Sequence, residues 1–224
     1  MPLTIILVEC GLELIPRNMR NHPSIKKQLV EKNYRSQLLD NALHHSAMKT
    51  LKNSNKRGRP DILHACILNA LGSPLNKSGN LRLYVHTIKN KIFKFNPEIK
   101  ITRNYNRFKG LMAKLLIDGN ISFEKSELIS SIKGNLNQLL ELIKDKELII
   151  FSSKGRLIND YKTLFPKPLS KNYVALVGGF QKNTLSSDIL ALSDNIISIS
   201  RYSLDAWIVI SKILNIYEIL HEIQ

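Results

Sequence analysis

Three stretches of this chain are apolar almost without a break: LTIILVE at 3–9, ELIIFSS at 147–153 and YVALVGG at 173–179. A strand with one wet face alternates polar and apolar residues, so unbroken runs of this length read as strands covered on both sides. Helices must supply that cover, and the crossovers that place them join parallel strands. IISIS at 196–200 reads as a further strand, and a closing helix is expected over 203–219. The expected fold class is therefore α/β, a parallel sheet flanked by helices. Ligands in such sheets bind beyond the carboxyl ends of the strands. Here those ends are Ser152, Ser153 and Gly155, then Gly178, Gly179 and Phe180, then Ser198 to Arg201.

Between the strands, 34–51 places Leu38, Leu39, Ala42, His45 and Met48 at helical spacing. Pro60 suits a first helical turn, Asp61 complements its dipole, and Gly72 is placed to end the helix. LRLYVHT and KIFKF follow as strands. The stretch RNYNRFKGLMAKLLID carries Tyr105, Phe108, Leu111, Met112 and Leu115 on one face, and a helix beginning near 102 would set Arg103 and Arg107 one turn apart on the other. Residues 122–143 are expected to form another amphipathic helix.

Charge is concentrated. The 224 residues carry a formal net charge of +15. Residues 1–170 hold +16 and residues 171–224 hold −1. Within 41–60, Lys49, Lys52, Lys56, Arg57 and Arg59 stand without a carboxylate, and 89–114 sets eight Lys or Arg against Glu98 alone. Isolated surface lysines serve solubility, but two dense cationic segments point to a polyanion such as RNA. An anionic membrane surface fits less well, because neither segment has the large aromatic anchors of an interfacial helix. No apolar run reaches the roughly 18 residues of a transmembrane helix. The MPLTIILVEC start lacks the positive region and cleavage site of a secretory leader. Cys10 and Cys66 make neither a disulfide framework nor a zinc spacing, so a reducing, cytoplasmic location is expected, or a nucleolar one in a nucleated cell.

The Val-Gly-Gly-Phe turn lets backbone approach a ligand closely, yet neither G-x-G-x-x-G nor G-x-x-x-x-G-K-[ST] is present. With Ser198 and Ser200 ending the next strand, the set suits a neutral adenosine better than a polyphosphate. His44 and His45 point about 100° apart on a helix. No Cys or carboxylate joins them and His64 in a ligand set, and no metal site is expected. No serine elbow, Cys/His pair or spaced carboxylate pair stands out. Asp61, two residues from Arg59, is placed to accept a bidentate hydrogen bond or to act simply as a helix-start acid. Tyr202 and Trp207 read as core or interface packing rather than a base-stacking platform.

Six ordered motifs then carry a resemblance: HHSAM at 44–48, KRGRPDILH at 56–64, SPLNKSGNLRLYVHT at 73–87, RNYNRFKGLM at 103–112, VGGF at 177–180 and ISISRYSLDAW at 197–207. Together they resemble the nucleolar essential protein family. Its members are SPOUT-class methyltransferases that act on N1 of a pseudouridine in small-subunit ribosomal RNA. The resemblance implies a single domain over 1–224, with a basic RNA-binding part at about 30–125. A deep trefoil knot over about 147–224 would hold S-adenosyl-L-methionine, and the chain would form a homodimer. By matching position, Arg59, Lys100, Arg103 and Arg107 would meet a hairpin of the RNA. Asp61 would steady Arg59 or accept the N1 proton. The family usually has Arg at Lys100, so a point charge is kept and a bidentate contact is lost. The cofactor would lie against Gly178, Gly179 and Phe180, near Asn183, along Ile196, Ile197, Ser198, Ile199, Ser200 and Arg201, and by Ser152. Asn183 stands where the family often has Gly, and Asn tolerates that backbone better than most residues. Two other readings remain at this point: a non-catalytic rRNA-binding assembly factor, favoured by the basic part and the lack of an evident base, and a SPOUT enzyme acting on tRNA.

Overall fold

In the computed structural model, which describes residues 2–30, 33–124, 126–167 and 171–224, the first apolar run is β1 (Leu3–Cys10), buried along its whole length. It lies inside a sheet ordered β4-β5-β3-β2-β1-β7-β6-β8. The other strands are β2 (Leu81–Thr87), β3 (Ile92–Phe95), β4 (Ile121–Phe123), β5 (Ser126–Ile132), β6 (Lys146–Leu157), β7 (Asn172–Gly178) and β8 (Ile196–Ser198). Parallel ladders join β2 to β1, β1 to β7, β7 to β6 and β6 to β8. The fold class is α/β as expected, but the sheet is mixed. β3 and β5 run antiparallel to their neighbours, and β4 pairs antiparallel with β5. The short Ile88–Lys91 connection is the reason, since a parallel return needs a crossover of a dozen residues or more.

Helices cover both faces. They are α1 (Pro23–Lys26), α2 (Tyr34–Gln37), α3 (Asn41–Met48), α4 (Pro60–Gly72), α5 (Pro74–Lys77), α6 (Tyr105–Asp118), α7 (Leu136–Glu141), α8 (Ser187–Leu190) and α9 (Ala206–His221). Leu3, Ile5 and Leu7 share one core with Leu63 of α4, Phe108 of α6 and Ile210 of α9. Ile6 and Val8 share the other with Leu176, Leu139 of α7 and Ile189 of α8. Alternate side chains of one strand thus enter two cores, which is why its sequence shows no period of two.

Three helix expectations are corrected. The 34–51 stretch breaks into α2 and α3, because Leu38 bridges Leu14 and Asp40 caps α3, its side chain accepting from Ala42 N–H. The 103–118 helix begins only at Tyr105 with Asn104 as its cap, so Arg103 precedes it. The 122–143 helix is mostly strand. β5 finds its partners in β3, pairing Ile129 with Phe95 and Ile132 with Ile92, and within 122–143 only α7 is helical. Apolar spacing in the sequence cannot see that long-range pairing.

One part of the sheet has unusual connectivity. Ile197 of β8 is matched both by Phe151 and by Arg156 of β6. Ile150 N–H donates to the Asn195 carbonyl, while Ile158 N–H donates to the Ser198 carbonyl. Carbonyls three residues apart in a strand face opposite edges, so the two halves of β6 flank β8 on both sides. Residues 152–155 cross between them, and a Cβ at Gly155 would stand 2.7 Å from the backbone of Ile196 and Ile197.

Candidate active site

An open cleft lies where the first half of β6, β7 and β8 end and α9 begins. Its walls include Phe151, Ser152, Ser153, Val177, Gly178, Phe180, Asn183, Thr184, Leu185, Ile197, Ser198, Ile199, Ser200, Leu204 and Val209. No Lys, Arg, Asp, Glu or His is among them. The lining sets apolar side chains beside hydroxyls and strand-end backbone. Ser198 Oγ donates to the Ser200 carbonyl at 2.8 Å, which holds the end of β8 in a tight turn. Asn183 has φ 138°, a conformation that favours glycine, and its side chain accepts from Thr184 N–H.

Of the residues the sequence points to here, Ser152, Gly178, Phe180, Asn183, Ile197, Ser198, Ile199 and Ser200 line the cleft. Three do not. Gly179 is packed on Cys10, whose Sγ would lie 2.3 Å from an added Cβ. Ile196 turns toward the other core, as alternation along β8 requires, and Arg201 is exposed. Tyr202, expected in core or interface, is 80% exposed on the cleft rim. Trp207 is partly buried against the main core. Thr184, Leu185, Leu204 and Val209 escaped the sequence reading. The apolar stripe of the closing helix was the only signal for Val209.

Beside the cleft lies the basic loop before α4, and its charges are not free. Lys56 Nζ donates to Glu9 Oε2 at 2.7 Å, with both side chains buried. Arg57 forms a two-pronged pair with Glu13, Nε to Oε1 at 2.6 Å and Nη2 to Oε2 at 2.5 Å. Arg59 does the same with Asp61, at 2.8 and 2.5 Å, which holds the guanidinium charged and its pKa raised. The carboxylates missing from 41–60 arrive from β1 and the segment after it for Lys56 and Arg57, and from α4 for Arg59. Only Lys49 and Lys52 of that cluster lack an ion-pair partner among the described residues. Glu9 and Glu13 were not singled out from sequence, although a carboxylate closing a fully apolar strand is itself a signal.

The second cationic segment differs. Lys100, Arg103 and Arg107 are exposed and form no ion pair among the described residues. Lys109 is turned inward instead, donating to Asp40 at 2.8 Å, where Tyr105 also donates at 3.2 Å. That buried cluster fixes α6 against the start of α3. The histidines serve as packing and hydrogen-bond groups. His44 accepts from Asp40 N–H, His45 meets Asn41, and His64 stacks on Phe108 with its Nε2 2.7 Å from the Thr102 carbonyl.

The chain is similar to known proteins over nearly its whole length. Residues 5–218 match the family model described as EMG1/NEP1 methyltransferase. A relative from Staphylothermus marinus, called ribosomal RNA small subunit methyltransferase Nep1, is 39% identical over 95% of this chain and 94% of its own. One of the same name from Thermococcus kodakarensis is 37% identical over 96% and 97%. The crystal structure of Archaeoglobus fulgidus Nep1 bound to S-adenosylhomocysteine superposes with a TM-score of 0.88 at 31% identity, covering 99% of this chain and 100% of that one.

Proposed function

The chain belongs to the EMG1/NEP1 methyltransferase family, and from that premise we propose that it transfers a methyl group from S-adenosyl-L-methionine to N1 of a pseudouridine in small-subunit ribosomal RNA. The observation that carries the reading is the cleft itself: a slot with no charged side chain among the described residues that line it, at the strand ends where such sheets bind ligands. A nucleoside has an apolar face and a hydrogen-bonding edge, and the slot offers Phe151, Val177, Leu185 and Ile199 for the one and hydroxyls and strand-end backbone for the other. A polyphosphate would meet no cation here.

Bound there, S-adenosyl-L-methionine supplies an activated methyl on a sulfonium; the chain's residues do the rest by placement. Leu204 and Val209 close the slot from the α9 side. Phe180, packed on Gly178, forms one wall. Arg103, Arg107 and Lys100 hold phosphates as unpaired surface cations, and Arg59 presents a guanidinium fixed by Asp61. Asp61 has both oxygens engaged by Arg59, which supports the positioning role over the proton-accepting one. N1 of pseudouridine bears a hydrogen, whereas N1 of uridine is already bonded to the sugar, so part of the substrate choice is intrinsic.

The same reading takes the flanking of β8 by two halves of β6 as the local mark of the trefoil knot. It takes the exposed Ile208, with the half-buried Trp207, as part of the surface a second copy covers. It places the protein with the ribosomal RNA it modifies, in the cytoplasm or nucleolus. Incubation with labelled S-adenosyl-L-methionine tests it: label should enter a small-subunit rRNA hairpin only when the target uridine is isomerised. Equal labelling of the unmodified hairpin contradicts the reading, and binding of RNA without any labelling supports the assembly-factor role instead.

A further inference from the structure

The segment Glu9–Gly11, at the end of β1, touches both the basic loop and the loop that walls the cleft. Glu9 Oε2 accepts from Lys56 Nζ at 2.7 Å and from Ser186 N–H at 3.2 Å. The Gly11 carbonyl accepts from Arg59 N–H at 2.9 Å, and Gly11 N–H donates to the Gly179 carbonyl at 3.4 Å. The Lys56 ammonium also stands over the Phe180 ring, 4.6 Å from its centre. Glu9 is held with φ 53°, an uncommon backbone for a non-glycine residue, and its N–H is fixed by His86 Nδ1. Three residues on, Lys56 leads into Arg59.

We propose that the Glu9–Lys56 pair is a positioning device that couples the cofactor cleft to the RNA-holding loop, so that filling the cleft tightens RNA binding and RNA tightens cofactor binding. This rests on the functional reading above. A ligand in the cleft fixes the Phe180 ring, which is one of its walls. The fixed ring face holds the Lys56 ammonium, whose only carboxylate partner among the described residues is Glu9. The held Lys56 keeps the Arg57–Arg59 backbone against Gly11. Both ions are buried, so neither is screened by solvent and the link is stiff. Linkage makes the effect reciprocal, with coupling factors of roughly 5–150-fold being usual.

S-adenosylhomocysteine and an in vitro transcript of the organism's small-subunit rRNA serve as probes, so no turnover intervenes. For the unaltered protein, saturating S-adenosylhomocysteine should lower the transcript Kd about tenfold, and the transcript should lower the S-adenosylhomocysteine Kd by the same factor. In the double variant Glu9→Gln, Lys56→Met, which leaves no buried charge unpaired, each ligand alone should bind within about threefold of the parent and the factor should fall to about one. Lys56→Arg alone, which keeps Glu9 and a cation opposite it, should retain the parent's factor, and its loss there also overturns the proposal. A factor of one in the parent, or an undiminished factor in the double variant, overturns the proposal. If the double variant melts below the assay temperature, hydrogen exchange on the parent decides instead: S-adenosylhomocysteine should slow exchange at the Lys56, Arg57 and Arg59 amides, and unchanged rates overturn the coupling. A parent that takes up no S-adenosylhomocysteine at all refutes the functional reading rather than this one.

Discussion

Arg59 and Asp61 face each other edge to edge, two N–H groups on two carboxylate oxygens, at the mouth of α4. The Asp61 side chain is 46% exposed, so the pair contributes orientation more than stability. Asp61→Asn should weaken RNA binding roughly three- to fivefold by freeing the guanidinium, although the change makes the protein more cationic. Filter binding across a salt series checks this. A fall in kcat with an unchanged RNA Kd would instead make Asp61 the proton acceptor.

Arg57 is 8% exposed and closed on Glu13, so it brings no free charge to RNA despite its place in the basic cluster. Arg57→Met leaves a buried carboxylate unpaired and should cost about 3–5 kcal/mol of stability by thermal melting. The salt slope of RNA binding should not move, because no phosphate contact is lost. A slope flattened by one unit would show that Arg57 meets RNA.

Arg103 is the opposite case, exposed and without an ion pair among the described residues. Arg103→Ala should flatten the slope by about one unit and leave S-adenosylhomocysteine affinity intact. An unchanged slope would remove Arg103 from the interface.

How much of this was legible from sequence follows the range of the interactions. The doubly buried strands showed themselves because burial on both faces writes an unbroken apolar run. Gly178, Phe180, Ser198 and Ser200, which line the cleft, were legible because they sit at or just beyond strand ends, a local property of the sequence. What could not be read was pairing between distant parts. Glu9 and Glu13 neutralise Lys56 and Arg57 across more than 40 positions, and β5 becomes a strand only because β3 lies beside it. Charge counted along the chain therefore overstated what the 41–60 loop offers RNA. The passage of β8 between two halves of β6 is likewise a property of the whole path, with no local signature.

Gly178 tests the cleft. A Cβ there would stand 2.7 Å from Phe180 Cε1 and 3.3 Å from Leu185 Cδ2, so the ring must shift within the cleft wall. Because the obstruction is a side chain rather than backbone, Gly178→Ala should cost about 1–3 kcal/mol of stability and no more. Its effect on S-adenosylhomocysteine should be larger, at least tenfold in Kd by calorimetry, with RNA affinity in the absence of S-adenosylhomocysteine unchanged. Retained affinity would place the cofactor elsewhere.

His86 gives the fold a pH dependence. Its Nδ1 accepts from Glu9 N–H and its Nε2 lies 3.0 Å from Asn90 Oδ1, so the neutral ring with its proton on Nε2 satisfies both contacts. Burial holds its pKa below the ordinary 6.5, and burial does the same for His44, whose Nδ1 accepts from Asp40 N–H. Below pH 6.5 the unfolded chain therefore takes up protons that the native chain still refuses. The stability these rings confer is complete above about pH 6.5 and is lost as pH falls through the lowered native values, at up to about 1.4 kcal/mol per pH unit for each ring. Thermal melts should accordingly drop between pH 7 and 5, by about 2–4 °C for each kcal/mol lost. His86→Gln should reduce that slope while lowering the melting temperature at pH 7, since the contact to Glu9 is disturbed. A slope that survives both His86→Gln and His44→Gln would assign the acid sensitivity to other groups.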